Sequence, residues 1–231
     1  MSEIENFYNE YSAKQLERGI NKRHFTIIDK LKQFGLKDGM SVLEIGCGVG
    51  TLTKLLSDEN PNGTIVANDI SEKNIEIAKN LFKEYDNINF IYGDAVKSDI
   101  KIQGKFDFIV MPDVLEHIPI DNHKTLFEKL ETLLNTNGYI AINIPNPYYL
   151  EWCHVHRKDI LQIIDQPIYT DILVSNTYPN NLHIKYLETY SIWIDNHDYQ
   201  FIVLEKNKTQ DFKEIQPPKL SLYQKIMNKL K

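Results

Sequence analysis

Cysteine is scarce: the 231-residue chain carries two, Cys47 and Cys153. That excludes a disulfide framework and a cysteine-built zinc site, and a reducing, cytoplasmic setting is expected. No apolar run approaches the ~18 residues that cross a bilayer. The opening Met1-Ser2-Glu3-Ile4-Glu5 is acidic and lacks the apolar core of a secretory signal. Positive charge is also short, with 26 Lys+Arg against 32 Asp+Glu and a net charge of -6. Sequence-independent nucleic-acid binding needs the opposite balance, so no nucleic-acid partner is expected. The histidines lack metal-ligand spacing, so no metal site is expected. Internal repeats are absent.

What is present is enough apolar content, 42%, for a sizeable core. Short apolar runs at Ser41–Ile45, Thr64–Asn68, Ile88–Tyr92, Phe106–Met111 and Tyr139–Ile144 alternate with helical stretches near 51–58, 71–85 and 121–134. This pattern predicts an α/β fold, a mostly parallel sheet with helices on both faces. Ser71 is placed to cap the second of those helices. Residues 1–34 read as a helical cap, with helical period over 4–34. The Pro- and aromatic-rich segment 145–182 reads as an insertion over the site, His183–Asn196 as a late helix and Gln200–Lys206 as a last strand. One domain over 1–216 is expected, closed by Pro217-Pro218, and then a basic tail over 217–231. The tail's lysines and apolar residues allow weak contact with an anionic membrane surface, or packing on the domain.

The most informative stretch is Glu44-Ile45-Gly46-Cys47-Gly48-Val49-Gly50, a strand running into three alternate glycines before a helix. Such a loop lets a ligand approach the main chain closely. The dinucleotide spacing G-x-G-x-x-G fails, because positions 51 and 53 are threonine. Glu44, Asp69, Asp94 and Asp113 crowd the strand ends; carboxylates there repel a pyrophosphate and suit a cationic ligand. A nucleotide-dependent oxidoreductase is therefore a remote alternative.

Together these segments resemble the ordered motifs of class I S-adenosylmethionine (SAM)-dependent methyltransferases, in particular small-molecule, sugar and ubiquinone-type O-methyltransferases. The resemblance covers about residues 20–146, and His183–Lys206 more weakly, and implies a Rossmann-like seven-stranded sheet that binds SAM and releases S-adenosylhomocysteine. It implies a cofactor site of Gly46, Cys47, Gly48 and Gly50 in the loop, with Glu44 before it. Asp69 would bind the ribose hydroxyls, Ile70 would flank the adenine, and Asp94 with Ala95 would read the adenine amine. Met111 and Pro112, at the end of the fourth strand, would also line the cofactor, and Arg23 would pair with the methionine carboxylate or stand solvated on its helix.

Methyl transfer to an alcohol needs a base, and His117, in Leu115-Glu116-His117-Ile118 after the fourth strand, is the candidate. Ordering the loop is its alternative role. Asp113, Tyr148, His154 and His183 are candidate acceptor-side residues. His154, His156 and Arg157 could instead form a polar surface, and the insertion's aromatics could stack on a ring or pack the lid. The expected reaction is O-methylation of a small hydroxylated molecule such as a sugar, glycan precursor or phenol. A SAM-binding partner or sensor without turnover is the alternative. N-methylation is disfavoured, because Met111-Pro112-Asp113-Val114 replaces the Asn/Asp-Pro-Pro-Tyr of amine-directed relatives.

Overall fold

The computed structural model describes residues 7, 12, 15–97, 100 and 102–207. The basic tail over 217–231, with its expected membrane contact, lies outside the described residues.

Seven strands form one sheet in the order β3-β2-β1-β4-β5-β7-β6. They are β1 (Ser41–Ile45), β2 (Thr64–Asp69), β3 (Ile88–Tyr92), β4 (Phe106–Pro112), β5 (Leu134–Pro145), β6 (Leu182–Tyr190) and β7 (Tyr199–Lys206). The first five run parallel, and β7 pairs antiparallel with both β5 and β6. The helices that lie wholly among the described residues include α1 (Lys22–Gln33), α2 (Thr51–Glu59), α3 (Glu72–Leu81), α4 (His123–Leu133), α5 (Pro147–His156) and α6 (Thr170–Thr177).

The central strands are apolar at successive positions because both faces are covered. Val42, Ile65 and Phe108 pack with Ile27 and Leu31 of α1 and Leu52 and Leu56 of α2. Leu43, Ile109 and Ile140 pack on the other face with Leu126, Phe127 and Leu130 of α4 and Leu173 of α6. Strand order reverses between β1 and β4, which leaves a crevice outside their carboxyl ends.

Local chemistry sets the helix starts. Ser71 caps α3 by accepting the Asn74 N–H at 3.1 Å. Asn21 and His24 form a reciprocal cap on α1. The helical stretch expected from residue 4 to 34 is broken at Gly19–Ile20, before that cap. The 145–182 segment folds as α5 and α6 with connecting turns between β5 and β6.

The helix expected over His183–Asn196 is corrected: Leu182–Tyr190 is the edge strand β6. A register shift between Ile184 and Tyr186 breaks its period-two alternation, which is why the sequence does not read as a strand.

Candidate active site

The cavity lies where the switch point predicts, at the carboxyl ends of β1, β2 and β4, and has a volume of about 200 Å³. The glycine loop forms one wall. The N–H groups of Gly46 and Cys47 donate to the Asn68 carbonyl at 2.7 and 2.9 Å, which clamps the end of β1 to the end of β2. The Asn68 side chain donates to the carbonyls of Ile91 and Gly93 at 3.0 and 2.9 Å, drawing in the end of β3. Asp69 closes the arrangement: its carboxylate accepts from the N–H groups of Gly48 at 2.7 Å and Ser71 at 2.8 Å, and from the Asn74 amide at 3.2 Å.

Glu44 is fully buried, with one carboxylate oxygen accepting from the Thr53 hydroxyl at 2.5 Å. Burial, reinforced by the nearby Asp69, pushes its carboxyl up to about 8. Burial likewise raises Asp69 above the usual carboxylate range. Four side chains lining the cavity carry a buried polar atom with no protein partner: Gln15 Oε1, Arg23 Nε, Glu44 Oε1 and Gln162 Oε1. Two amide oxygens, a carboxyl oxygen and a guanidinium N–H around one cavity fit a polar ligand, the guanidinium suiting an anionic group on it.

The N-terminal segment forms the roof. Gln15, Arg18, Asn21, Arg23 and His24 all line the cavity. His24 bonds to Thr51 at the start of α2 at 3.2 Å, and burial lowers its pKa to about 4, so the ring is neutral. Arg23 forms an ion pair with Asp113. Asp113 stands in the left-handed region at φ 52, and its N–H donates to the Asn143 carbonyl at 2.7 Å. Asn143 and the Tyr199 hydroxyl also reach its carboxylate, each at 3.5 Å.

His117 lies in a short 3-10 turn, Leu115–His117, after β4, and lines the cavity. Its Nδ1 donates to the Ile164 carbonyl at 2.6 Å and stands 3.2 Å from an Asp165 carboxylate oxygen. A carbonyl can only accept, so the proton sits on Nδ1 and the lone pair on Nε2. That Nε2 accepts from the Gln162 amide at 3.0 Å. Burial lowers the His117 pKa, against the opposing pull of Asp165.

The structure thus brings together Arg23, Glu44, Gly46, Cys47, Asp69, Ile70, Asp94, Ala95, Pro112, Asp113 and His117 around one cavity. Other expected positions stand elsewhere. Met111 is buried in the core behind the wall. The Cβ positions of Gly48 and Gly50 are closed off by Gln15 and Phe82. Tyr148 is 71% exposed on α5, against Tyr169. His154 is exposed, and its Nε2 donates to the Asp165 carbonyl at 2.7 Å. His183 opens β6 rather than a helix, 3.4 Å from Glu205. In that register Leu182 meets Lys206, while Tyr190 at the other end meets Tyr199 beside the carboxyl end of β5. His183 is therefore at the sheet edge opposite the cavity, which corrects its assignment to the acceptor side. The sequence reading missed Asn68, His24, Gln162 and Asp165, whose neighbours are set by the fold and not by spacing.

The buried carboxyls set a pH dependence of stability. Burial raises Glu44 and Glu116 to about 8 in the folded protein, against ~4.3 for an unfolded glutamate, so the native state holds protons the unfolded chain has lost. Stability from these groups falls as pH rises toward 8. Burial lowers His24, His117 and His123, which acts in the opposite direction, but only below the unfolded histidine value near 6.5. Between pH 6.5 and 8 the carboxyls act unopposed, and urea unfolding should show stability falling by on the order of 1 kcal/mol per group per pH unit. Glu44→Gln should flatten that slope; an unchanged slope would contradict the assignment.

Comparison with known proteins gives one family whose model, described as a methyltransferase domain, matches residues 13–193. A malonyl-[acyl-carrier protein] O-methyltransferase of Ilyobacter polytropus is 33% identical over 126 residues, which are 53% of this chain and 46% of that one. A demethylmenaquinone methyltransferase of Lactococcus lactis is 31% identical over 114 residues, 48% of this chain and 44% of that one. The chain thus spans about half the length of these two relatives. Among solved structures, magnesium protoporphyrin IX methyltransferase from Synechocystis PCC 6803 with bound S-adenosylhomocysteine superposes with a TM-score of 0.68 at 17% identity. That match covers 88% of this chain and 98% of the other.

Proposed function

Because the chain belongs to the methyltransferase-domain family, we propose that it methylates a hydroxyl of a small molecule, a sugar, glycan precursor or phenol, with His117 as general base. S-adenosylmethionine is the cofactor and supplies an electrophilic methyl group on a sulfonium. Arg23 holds its carboxylate, Asp69 its ribose hydroxyls, and Ile70, Asp94 and Ala95 its adenine. The glycine loop from Gly46 through Cys47 supplies the close main-chain wall, and Glu44 a buried, unpartnered carboxyl oxygen beside it. Pro112 and Asp113 carry the wall on toward the acceptor.

The carrying observation is His117: a neutral, buried imidazole on the cavity wall, its proton on Nδ1 and its lone pair on Nε2. As the acceptor oxygen attacks, its hydroxyl proton passes to Nε2 and from there to solvent. The remaining work of the protein is to hold acceptor and methyl in line.

One observation favours the second reading, a SAM-binding protein without turnover: the Gln162 amide donates to the very nitrogen that must take the proton. An acceptor has to displace that amide. Calorimetry with SAM and with S-adenosylhomocysteine should show micromolar binding of both; absence of heat with either would overturn the cofactor assignment. Release of S-adenosylhomocysteine across a panel of sugars and phenols decides between the readings. Binding without release from any of them supports the non-catalytic one.

A further inference from the structure

We propose that Asp165 is the positioning residue of His117: with the Ile164 carbonyl it holds the imidazole proton on Nδ1, so that Nε2 is the proton-accepting nitrogen. The proposal rests on the reading of His117 as the base and names a partner that no motif marks.

The Asp165 side chain is 8% exposed, and its Oδ1 lies 3.2 Å from His117 Nδ1. Among the described residues no Lys or Arg forms an ion pair with it. A buried carboxylate whose ion-pair partner is an imidazole has one electrostatic task, to favour that ring's protonated form. The carboxylate is itself fixed. Its other oxygen accepts the Gln162 N–H at 2.5 Å, and its own carbonyl accepts from His154 at 2.7 Å. The next residue, Gln166, donates its N–H to the Glu116 carbonyl at 3.0 Å and its amide to the Ile118 carbonyl at 2.9 Å. Residues 162–166 are therefore clamped onto the turn that carries His117, on both sides of the ring.

Among the described residues, Glu116 and Arg23 also act on the ring. Glu116 lies 3.8 Å from Nε2, and burial pushes its carboxyl up to about 8, so near neutral pH it is mostly uncharged. Arg23 acts on His117 in the destabilising sense for the imidazolium. Asp165 is the negative charge that offsets Arg23 and burial. When Nε2 takes the proton of the acceptor hydroxyl, the new imidazolium keeps its Nδ1–H on the Ile164 carbonyl, with the Asp165 carboxylate 3.2 Å away to stabilise the charge, until solvent removes the Nε2 proton.

The test uses the full chain labelled with ring ¹⁵N-histidine, with His117→Ala to assign the signal. In the wild type the neutral His117 ring should be the Nδ1–H tautomer. Asp165→Asn should lower its titration midpoint, because a negative charge that favoured protonation is gone. An Nε2–H tautomer in the wild type would overturn the proposal without any variant. So would a midpoint unmoved in a folded Asp165→Asn. In turnover, Asp165→Asn should lower kcat roughly 10-fold, a fraction of the ~10²–10⁴ that a positioned base contributes. It should move the acid limb of the pH profile to lower pH and leave the KM for SAM unchanged. Asp165→Glu, which keeps the charge, should recover part of kcat. Full turnover in His117→Ala would instead sink the base reading, while the ring spectra still decide whether Asp165 sets the tautomer.

Discussion

Replacing His117 by alanine should lower turnover by ~10²–10⁴-fold while leaving SAM affinity nearly unchanged. The split follows from where the ring acts. It lines the cavity from the turn after β4, with Nε2 beside the Gln162 amide, whereas Asp69, the proposed ribose ligand, lies at the end of β2. The role proposed for the imidazole is on the acceptor proton and not on the cofactor, so its loss should appear in kcat. The pH profile should carry the same signature. Burial lowers the pKa of His117, so the base stays deprotonated at pH values where a free histidine is largely charged. Activity should therefore persist below pH 6.5, the unperturbed histidine value. Rapid-mix measurement of S-adenosylhomocysteine release, with cofactor affinity taken separately by calorimetry, checks both halves. Unchanged turnover in the variant would make His117 a structural residue of the turn.

The parallel half of the fold was legible because its signals are local. β1 and β3 fall on the residues whose apolar runs announce them, and Ser71 caps α3 as its side chain and position imply. The cavity residues at the ends of those strands were legible for the same reason. The other side of the cavity and the sheet's last edge were not. β6 is an edge strand with exposed Lys185, half-buried Glu188 and an irregular register, so no clean alternation marks it. Asp165 and Gln162 lie in a stretch without periodicity, more than forty residues from His117, and only the docking of that stretch onto the turn makes them its partners. The Arg23–Asp113 pair shows the mixed case. Each residue stood out alone, but their ion pair needs the roof formed by α1 to close over β4.

Gly46→Ala should abolish measurable cofactor binding, and Gly39→Ala should not, although both glycines have positive φ. At Gly39, φ is +86 and a Cβ would meet nothing within 4 Å, so the variant carries only the left-handed strain of ~1–2 kcal/mol. At Gly46, φ is +75 and a Cβ would lie 2.2 Å from Val114 Cγ2. Val114 has no easy retreat. Its side chain is stiff at χ1, and the preceding Asp113 is held by Arg23 and Asn143. The glycine loop must then move instead, and Gly46 and Cys47 are the residues whose N–H groups tie it to Asn68. Overpacking of this kind costs ~1–3 kcal/mol beyond the backbone strain. A wall displaced by ~1 Å costs ~10²-fold in a positioned site. Both variants should therefore melt lower than the wild type, with Gly46→Ala the lower, and only Gly46→Ala should lose SAM in calorimetry. The double variant Gly46→Ala with Val114→Ala separates the two contributions, because it removes the clash and keeps the strain. Recovery of binding in the double variant assigns the loss to the contact with Val114. If binding stays absent, the backbone angle at Gly46 is what shapes the loop, and the steric account is wrong.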